Sequence, residues 1–272
     1  MIFTGANRLM GVEAGRFDGH THVFRADLPM VANRRYTPGH DAQMADLIPL
    51  LREHALDGAI LVQPSFLGFD NRFLLSALSA AESTHDLTFR GVVMLDPAAS
   101  PMEIADLSTQ GVIGMRLNLV GGAARDFDVA AWDRVLRRID AAGWHVELHC
   151  EGPLLRPILG ALLLRCKTVV VDHFGLPDAS ASADELFRAL PSDRVMVKVS
   201  APYRVFPTAS SREAAILCLP IVERIARELG PQNLIWGSDW PWTRFEGRHA
   251  YSDTIDWFNQ SAQAPRVAQS GP

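Results

Sequence analysis

Short apolar segments alternate along this chain with longer segments of helical character, and this alternation constrains the fold more than any other feature. Alternating strands and helices form βαβ units around a parallel sheet. Eight strands in 272 residues leave about 34 residues for each strand and its connection, which is typical of a (β/α)8 barrel. We therefore predict an α/β fold, a single-domain TIM barrel over residues 1–258, followed by a flexible tail over residues 259–272. The predicted strands are Arg16–His22, Ala59–Gln63, Phe89–Leu95, Gly114–Leu119, His145–Cys150, Thr168–His173, Val195–Ser200 and Leu234–Asp239.

The segments between the strands carry helix-end signals. Ser100-Pro101-Met102-Glu103 has the form of a capping box with proline at the first helical position. Asp128 is placed to cap a helix over Val129–Ala142, and Asp70 is placed to cap one over Asn71–His85. An open doubly wound sheet is the competing architecture. It normally has a glycine-rich phosphate-binding turn after its first strand, and the Asp-Gly-His sequence at residues 18–20 is not such a turn.

Composition argues against several classes of function. With 26 Lys and Arg against 31 Asp and Glu, the formal net charge is −5, so the chain lacks the basic surface of a nucleic-acid-binding protein. No apolar stretch approaches the ~20 residues of a membrane span. Three cysteines without C-x-x-C spacing indicate a reducing compartment. We therefore expect a cytoplasmic protein without nucleic-acid or membrane partners, and the oligomeric state stays open.

Polar side chains end the predicted strands. The carboxyl ends of barrel strands form the active site, so we expect these side chains to converge. Alternation along a strand places His20 and His22 on one face, and it likewise pairs Arg116 with Asn118. Inward-facing charged groups are costly in a barrel unless they are paired or used. The polar residues at strand ends are His20, His22, Gln63, Arg116, Asn118, His149, His173, Ser200 and Asp239.

The His20-Thr21-His22 sequence is the sharpest local signal. Two imidazoles on one strand face can bind one metal ion side by side, and zinc hydrolases complete such a site with further His or Asp ligands and a water molecule. His149, His173 and Asp239 are candidates for the further ligands. A lone His-x-His pair is more often structural, so the prediction of a site depends on the coincidence with these later strand ends.

Other charged and aromatic residues near the strand ends have alternative interpretations. Glu147 either orients a histidine or pairs with Lys198 or Arg116 in a structural salt bridge, which we favour slightly. Trp242 lies beyond the last strand and is a candidate for the wall of a pocket. Four arginines outside the predicted strands are interpreted as solvated charges: Arg34, Arg35, Arg125 and Arg244.

Seven sequence blocks lie in order between residues 18 and 241. They are Asp18–Phe24 (DGHTHVF), Arg35–Pro38 (RYTP), Val62–Ser65 (VQPS), Gly114–Asn118 (GMRLN), Ala142–Val146 (AGWHV), Val171–Asp178 (VDHFGLPD) and Ile235–Pro241 (IWGSDWP). Together they resemble the amidohydrolase-related superfamily, and within it the lactonase branch that includes 2-pyrone-4,6-dicarboxylate lactonases and sugar lactonases. The resemblance implies a distorted TIM barrel that hydrolyses a cyclic ester.

The resemblance also implies roles for individual residues. Asp239 would be the general base that activates water, and three histidines would polarise the lactone carbonyl directly or through a metal: His20, His22 and His173. Arg116 and Arg204 would hold substrate carboxylates, and Tyr36 and Ser65 would help to bind substrate. We add the strand-end residues Gln63 and Asn118 and the pocket candidate Trp242 to the predicted substrate-binding set.

Departures from the family pattern bear on the metal and the substrate. The pyrone-dicarboxylate enzymes are thought of as metal-independent and have Tyr where this chain has His149, whereas metal-using relatives carry a histidine there. His149 therefore moves the prediction toward one divalent ion, with zinc expected and a metal-free mechanism left open. A second arginine that the family places after strand four falls here on Gly122, and Arg125 is a candidate to replace it. The family's last helix is not recognised before Pro272, so we expect a less well covered closing edge. The predicted ligands are His20, His22, His149, His173 and Asp239.

Three functions are compatible with these residues. We prefer a lactonase that acts on a small, carboxylate-bearing lactone. A metal-dependent decarboxylase on the same scaffold is the second possibility, and a non-catalytic ligand-binding barrel is the third. A general-base candidate beside a histidine cluster argues against the third, because simple binding does not need one.

Overall fold

The structure is a computed structural model that describes residues 4–121, 123–177, 187–188 and 190–257. Its eight parallel strands are hydrogen-bonded in sequential order, which confirms the predicted TIM barrel. The predicted tail over residues 259–272 and the position of Gly122 lie outside the described residues. The strands are β1 Phe17–Thr21, β2 Gly58–Val62, β3 Thr88–Val93, β4 Val112–Asn118, β5 His145–His149, β6 Val169–Val171, β7 Val195–Ser200 and β8 Leu234–Gly237.

Helices cover the outside of the sheet, as the alternating pattern predicts. Ser100 caps the helix that follows it within the predicted capping box, and Asp128 also caps its helix. The N-cap position is Asn71, one residue later than predicted, but the Asp70 carboxylate accepts the first helical amide, that of Arg72, at 3.3 Å and also pairs with the Arg72 guanidinium at 2.8 Å. The described helices are α1 Gly5–Met10, α2 Met44–Glu53, α3 Arg72–Ala81, α4 Pro101–Thr109, α5 Val129–Ala141, α6 Gly152–Leu163, α7 Pro202–Val205, α8 Ser211–Leu229 and α9 at residues 251–257.

The barrel closes where β1 meets the segment after β8. Thr21 forms a parallel bridge with Trp240. The His22 amide donates to the Trp240 carbonyl at 2.8 Å, and the Asp239 amide donates to the His20 carbonyl at 2.9 Å. The backbone itself therefore brings the two ends of the predicted site into contact.

The buried apolar residues form two hydrophobic clusters, one outside the sheet and one inside the barrel. Between sheet and helices lies a large hydrophobic core, which includes the alternate strand residues Val146 and Leu148. A second, smaller cluster fills the barrel interior, where Met10 of α1 packs against side chains such as Ile60 and Val170. The remaining inward-facing positions hold charged groups, which belong to the site. Apolar packing thus seals one end of the barrel interior and leaves the other for chemistry.

Seven of the eight predicted strands end one or two residues earlier in the structure than in the sequence analysis, and β7 alone keeps its predicted end. His22, His173 and Asp239 lie just beyond β1, β6 and β8. The backbone φ angles of His173 and Asp239 are 49° and 58°, in the left-handed region that is unfavourable for residues with a Cβ. Such conformations persist where the surroundings enforce them, often at functional sites. These side chains therefore project from loops at the carboxyl rim.

None of the described helices is long and apolar enough to span a bilayer. The cytoplasmic location expected from composition stays a prediction.

Candidate active site

Four potential ligand atoms from three separate stretches of chain meet at the carboxyl rim. The Nε2 atoms of His20 and His22 lie 3.3 Å apart, and each lies 3.6 Å from Oδ1 of Asp239. Nε2 of His173 lies 3.8 Å from the same oxygen. All four side chains are buried. The structure thus brings the four predicted catalytic residues together around one point.

The Asp239 carboxylate is held on one side and free on the other. Its Oδ2 accepts hydrogen bonds from the Tyr203 hydroxyl at 2.6 Å and from Nε of Arg204 at 2.8 Å. Its buried Oδ1 has no hydrogen-bond partner among the described residues. Burial raises the pKa of Asp239, but the charges of Arg204 and His173 outweigh burial and hold the pKa well below its usual value. The result is an ionised carboxylate with one oxygen available to accept a proton.

A buried charge network lies below the histidines. Nζ of Lys198 contacts Oε1 of Glu147, and it lies 2.9 Å from Nδ1 of His20 and 3.5 Å from Oδ1 of Asp172. These side chains are fully buried. The salt bridge between Glu147 and Lys198 that we favoured is therefore present. It also reaches the site, because the same ammonium group contacts His20.

The hydrogen-bond partners of His20 and His22 determine which ring nitrogen of each neutral imidazole carries the proton. The Val62 carbonyl oxygen lies 2.7 Å from Nδ1 of His22 and can only accept, so neutral His22 presents a lone pair at Nε2. Nδ1 of His20 faces two different groups: the donor Lys198, and Oδ1 of Asp172 at 3.5 Å, which has no hydrogen-bond partner among the described residues. When Lys198 donates, the His20 proton sits on Nε2; when Asp172 accepts, it sits on Nδ1.

The Nδ1 atom of His149 is paired with an arginine. Arg116 donates through Nε to Oδ2 of Asp172 at 2.9 Å, and its Nη2 lies 3.0 Å from Nδ1 of His149. A guanidinium group can only donate, so neutral His149 carries its proton on Nε2. Burial, followed by the Arg116 charge, lowers the pKa of His149 well below its usual value. Arg116 thus occupies Nδ1 of His149, and His149 is not part of either group of closely spaced ligand atoms, so its role as a metal ligand stays a prediction.

Three of the other predicted ligands, His20, His22 and Asp239, fit one divalent ion. Ligand atoms lie within 4.8 Å of one another in two groups, one of His20, His22 and Asp239, the other of His20, Asp172 and His173. Buried Oδ1 of Asp239 and Nε2 of His173 have no hydrogen-bond partner among the described residues. Imidazole nitrogen and carboxylate oxygen are donors that zinc prefers. The carboxylate of Asp172 behind His20 also matches the usual support of a metal-binding imidazole.

A cavity of about 310 Å³ opens above this cluster. Gln63 does not line it: its side chain is fully buried, and its amide nitrogen donates to the Asp70 carbonyl at 2.8 Å. Trp242 does not line it either, because it packs against the hydrophobic core. The predicted site residues that do line the cavity are His22, Tyr36, Ser65, Arg116, Asn118, His149, His173 and Arg204.

The sequence analysis missed several residues of the site. Arg35 and Arg244 are exposed, as expected of solvated charges, but both line the cavity mouth. Tyr203 and Asp172 lie next to predicted site residues in the chain, and only the fold reveals that they hold Asp239 and Arg116. Adjacency in the chain to a predicted site residue is the one sequence signal that could have pointed to them.

Comparison with known proteins agrees with this geometry. The profile of the amidohydrolase family matches residues 17–268. The chain belongs to the amidohydrolase family. This assignment confirms the resemblance seen in the seven sequence blocks.

Relatives of this amidohydrolase lie in the lactonase branch. It is 31% identical over 244 residues to 2-pyrone-4,6-dicarboxylate hydrolase of Comamonas testosteroni, a match that covers 84% of this chain and 77% of the relative. It is 26% identical to 4-sulfomuconolactone hydrolase of Rhizobium radiobacter, over 94% of this chain and 86% of the relative. A crystal structure from Acinetobacter baumannii, described as a probable 2-pyrone-4,6-dicarboxylic acid hydrolase with citric acid bound, superposes with a TM-score of 0.84 at 29% identity, covering 92% of each chain.

Proposed function

We propose that this amidohydrolase opens a small, carboxylate-bearing lactone by adding water to the ester carbonyl. One observation carries the proposal: Oδ1 of Asp239, on a carboxylate whose pKa lies well below its usual value, is buried without a hydrogen-bond partner among the described residues and lies 3.6 Å from two imidazoles. The names of the two relatives describe hydrolysis of lactones or pyrones that carry anionic groups. Both lines of support favour hydrolysis of a cyclic ester.

In the proposed step, Oδ1 of Asp239 accepts a proton from water while the water oxygen bonds to the carbonyl carbon. The ring C–O bond then breaks, and the departing oxygen takes the proton that Asp239 had accepted, which restores the carboxylate and leaves a ring-opened acid whose new carboxyl group ionises. His173 is suited to hold the carbonyl oxygen. Its Nδ1 lies 2.8 Å from the Ser200 hydroxyl, and its Nε2 is free of partners among the described residues. Burial lowers the pKa of His173 to about 3, so it would act as a neutral hydrogen-bond donor.

We also propose that the cluster holds one divalent ion, with zinc as the expected metal. Its ligands would be His20, His22 and Asp239, whose ligand atoms lie within 4.8 Å of one another, and His173 would stay a donor to the carbonyl oxygen. When bound, such an ion polarises the carbonyl and lowers the pKa of water. The alternative is a metal-free reaction in which the imidazoles alone polarise the carbonyl. Elemental analysis, followed by assays before and after chelation, separates the two: full activity in metal-free protein would contradict the metal proposal.

The cavity supports a small anionic substrate. Its volume of about 310 Å³ suits a single ring with small substituents. Arg116 and Arg204 contribute positive charge, and Tyr36, Ser65 and Asn118 contribute polar groups to the wall. The Acinetobacter baumannii structure holds citric acid, a tricarboxylate. A lactone with at least one carboxylate is therefore the proposed substrate class.

The alternative functions have less support. Neither relative described above is named as a decarboxylase or as a binding protein. Product analysis tests all three possibilities on a panel of carboxylated lactones. The proposal predicts ring opening with proton release and no carbon dioxide. Release of carbon dioxide would support the decarboxylase, and tight binding without turnover would support the binding protein.

A further inference from the structure

Four guanidinium groups line the cavity, and two of them are already neutralised within the protein. Arg116 pairs with Asp172 at 2.9 Å, and Arg204 pairs with Asp239 at 2.7 Å. These two arginines therefore hold carboxylates of the site itself. Among the described residues, moving Arg204 away would leave the buried Asp239 carboxylate with only the Tyr203 hydroxyl, and moving Arg116 away would leave Asp172 with Lys198 as its only cation, so either change is costly.

The other two guanidiniums, Arg35 and Arg244, are called the mouth arginines here. Nη2 of Arg35 donates to Oδ1 of Asn118 at 3.0 Å, which is a neutral partner. Neither mouth arginine forms a salt bridge with a described residue. Partial burial, followed by the charges of Arg244 and Arg116, lowers the pKa of Arg35, while the charge of Glu151, which also lines the cavity, acts in the opposite direction. Like charges gathered in one cleft favour an incoming anion.

A hydrogen-bonded link through Glu246 joins the two loops that carry the mouth arginines. Arg35 lies in the loop after β1 and Arg244 in the loop after β8. The Tyr36 hydroxyl, next to Arg35 in the chain, donates to Oε1 of Glu246. The same oxygen accepts the Arg244 backbone amide at 3.0 Å. Glu246 therefore fixes both loops, and Tyr36 acts as a positioning residue for the mouth arginines.

Resting on the function proposed above, we propose that the mouth arginines form a carboxylate subsite that selects substrates with an anionic group remote from the scissile ester. The reacting end of the substrate would lie below, at Asp239, where Arg116 and Arg204 are occupied. A planar guanidinium fork matches a planar carboxylate, and charge-assisted pairs of this kind are stronger than neutral hydrogen bonds. The mouth arginines, more than Arg116 and Arg204, would then determine substrate charge preference.

The test uses two stable probes of equal shape, 3-carbamoylbenzoate and isophthalamide, which differ by one carboxylate. Isothermal titration calorimetry on the purified full chain measures both dissociation constants. Wild-type protein should bind 3-carbamoylbenzoate about tenfold more tightly than isophthalamide. Arg35→Gln and Arg244→Gln should each weaken this preference, and the double variant should abolish it. Arg125→Gln, an exposed arginine that does not line the cavity, is the matched control and should keep the full preference.

Two outcomes would overturn the subsite: equal binding of the probes by wild-type protein, or a preference that survives in the double variant. Circular dichroism and thermal melting establish that each variant is folded. If the double Gln variant does not fold, Arg35→Lys with Arg244→Lys replaces it. That variant keeps the charge but loses the fork, so it should show a reduced preference, and an undiminished one would contradict the proposal. Because no turnover is measured, failure here is distinct from failure of the lactonase proposal.

Discussion

Oδ1 of Asp239 lies 3.6 Å from Nε2 of His22, although these residues come from opposite ends of the barrel sequence. The contact follows from closure of the sheet, because Thr21 bridges Trp240 and places the carboxyl ends of β1 and β8 side by side. A carboxylate and imidazoles brought this close together can share a single small ligand. The predictions below test this arrangement and its surroundings.

Arg204 keeps Asp239 ionised. Arg204→Met removes the cation 2.7 Å from Oδ2, so burial should dominate and raise the pKa of Asp239. We expect kcat/KM to fall by about 10- to 100-fold, with its acid limb moved to higher pH. A pH–rate profile measures both effects. Arg204→Lys retains the charge and should leave the acid limb closer to wild type, and an unmoved limb in Arg204→Met would contradict this role.

Lys198 neutralises carboxylates in the barrel interior. Lys198→Met leaves Glu147 buried without its cation, so the free energy of unfolding should fall by about 3–5 kcal/mol. Urea unfolding monitored by circular dichroism gives this value. The double variant Lys198→Met with Glu147→Gln removes both charges and should recover part of the loss. A double variant as unstable as the sum of the two single variants would argue against direct coupling.

His173 makes stability depend on pH. Its pKa is about 3 in the folded chain, compared with about 6.5 when exposed. Between these values the unfolded chain binds the proton and the folded chain does not, so stability is complete above about pH 6.5 and decreases toward pH 3. One such group contributes a slope of at most about 1.4 kcal/mol per pH unit. Urea unfolding at several pH values, with chelator present, should show a shallower slope in His173→Gln; an equal slope would be inconsistent with a buried neutral imidazole.

Tyr36 acts at a distance from the reacting atoms. Tyr36→Phe removes its hydrogen bond to Glu246 and should loosen the loops that carry the mouth arginines. We expect KM for a carboxylated lactone to rise about three- to tenfold while kcat changes little. Thr37→Val, an exposed neighbour outside the cavity lining, should leave both constants near wild type. A fall in kcat alone would place Tyr36 in the chemical step instead.

Much of the fold could be predicted because strand and helix periods are local properties of sequence. All eight predicted strands are present, and the parity argument correctly places Val146 and Leu148 in the outer core and Glu147 in the barrel interior. Strand ends were less predictable. His173 and Asp239 adopt left-handed backbone angles that their residue types disfavour, and tertiary contacts enforce them.

The site was predictable where its residues end strands and unpredictable where they lie on loops. Parity brings His20 and His22 to one face, but no local pattern shows that Arg35 faces the cavity. The hydrogen-bond partners of the site residues were equally unpredictable from the sequence. The hydrogen bond from Arg116 to Nδ1 of His149 could not be seen in the sequence, because it depends on the register of β4 against β5, which pairs Asn118 with His149.

Asp239→Asn tests the central claim most directly, because it keeps the shape of the side chain and removes its capacity to accept a proton. Initial rates of ring opening on the best lactone of the panel should fall by at least about 100-fold, while the circular dichroism spectrum and affinity for 3-carbamoylbenzoate stay near wild type. Turnover close to that of wild-type protein would contradict the role of Asp239 as the base that activates water.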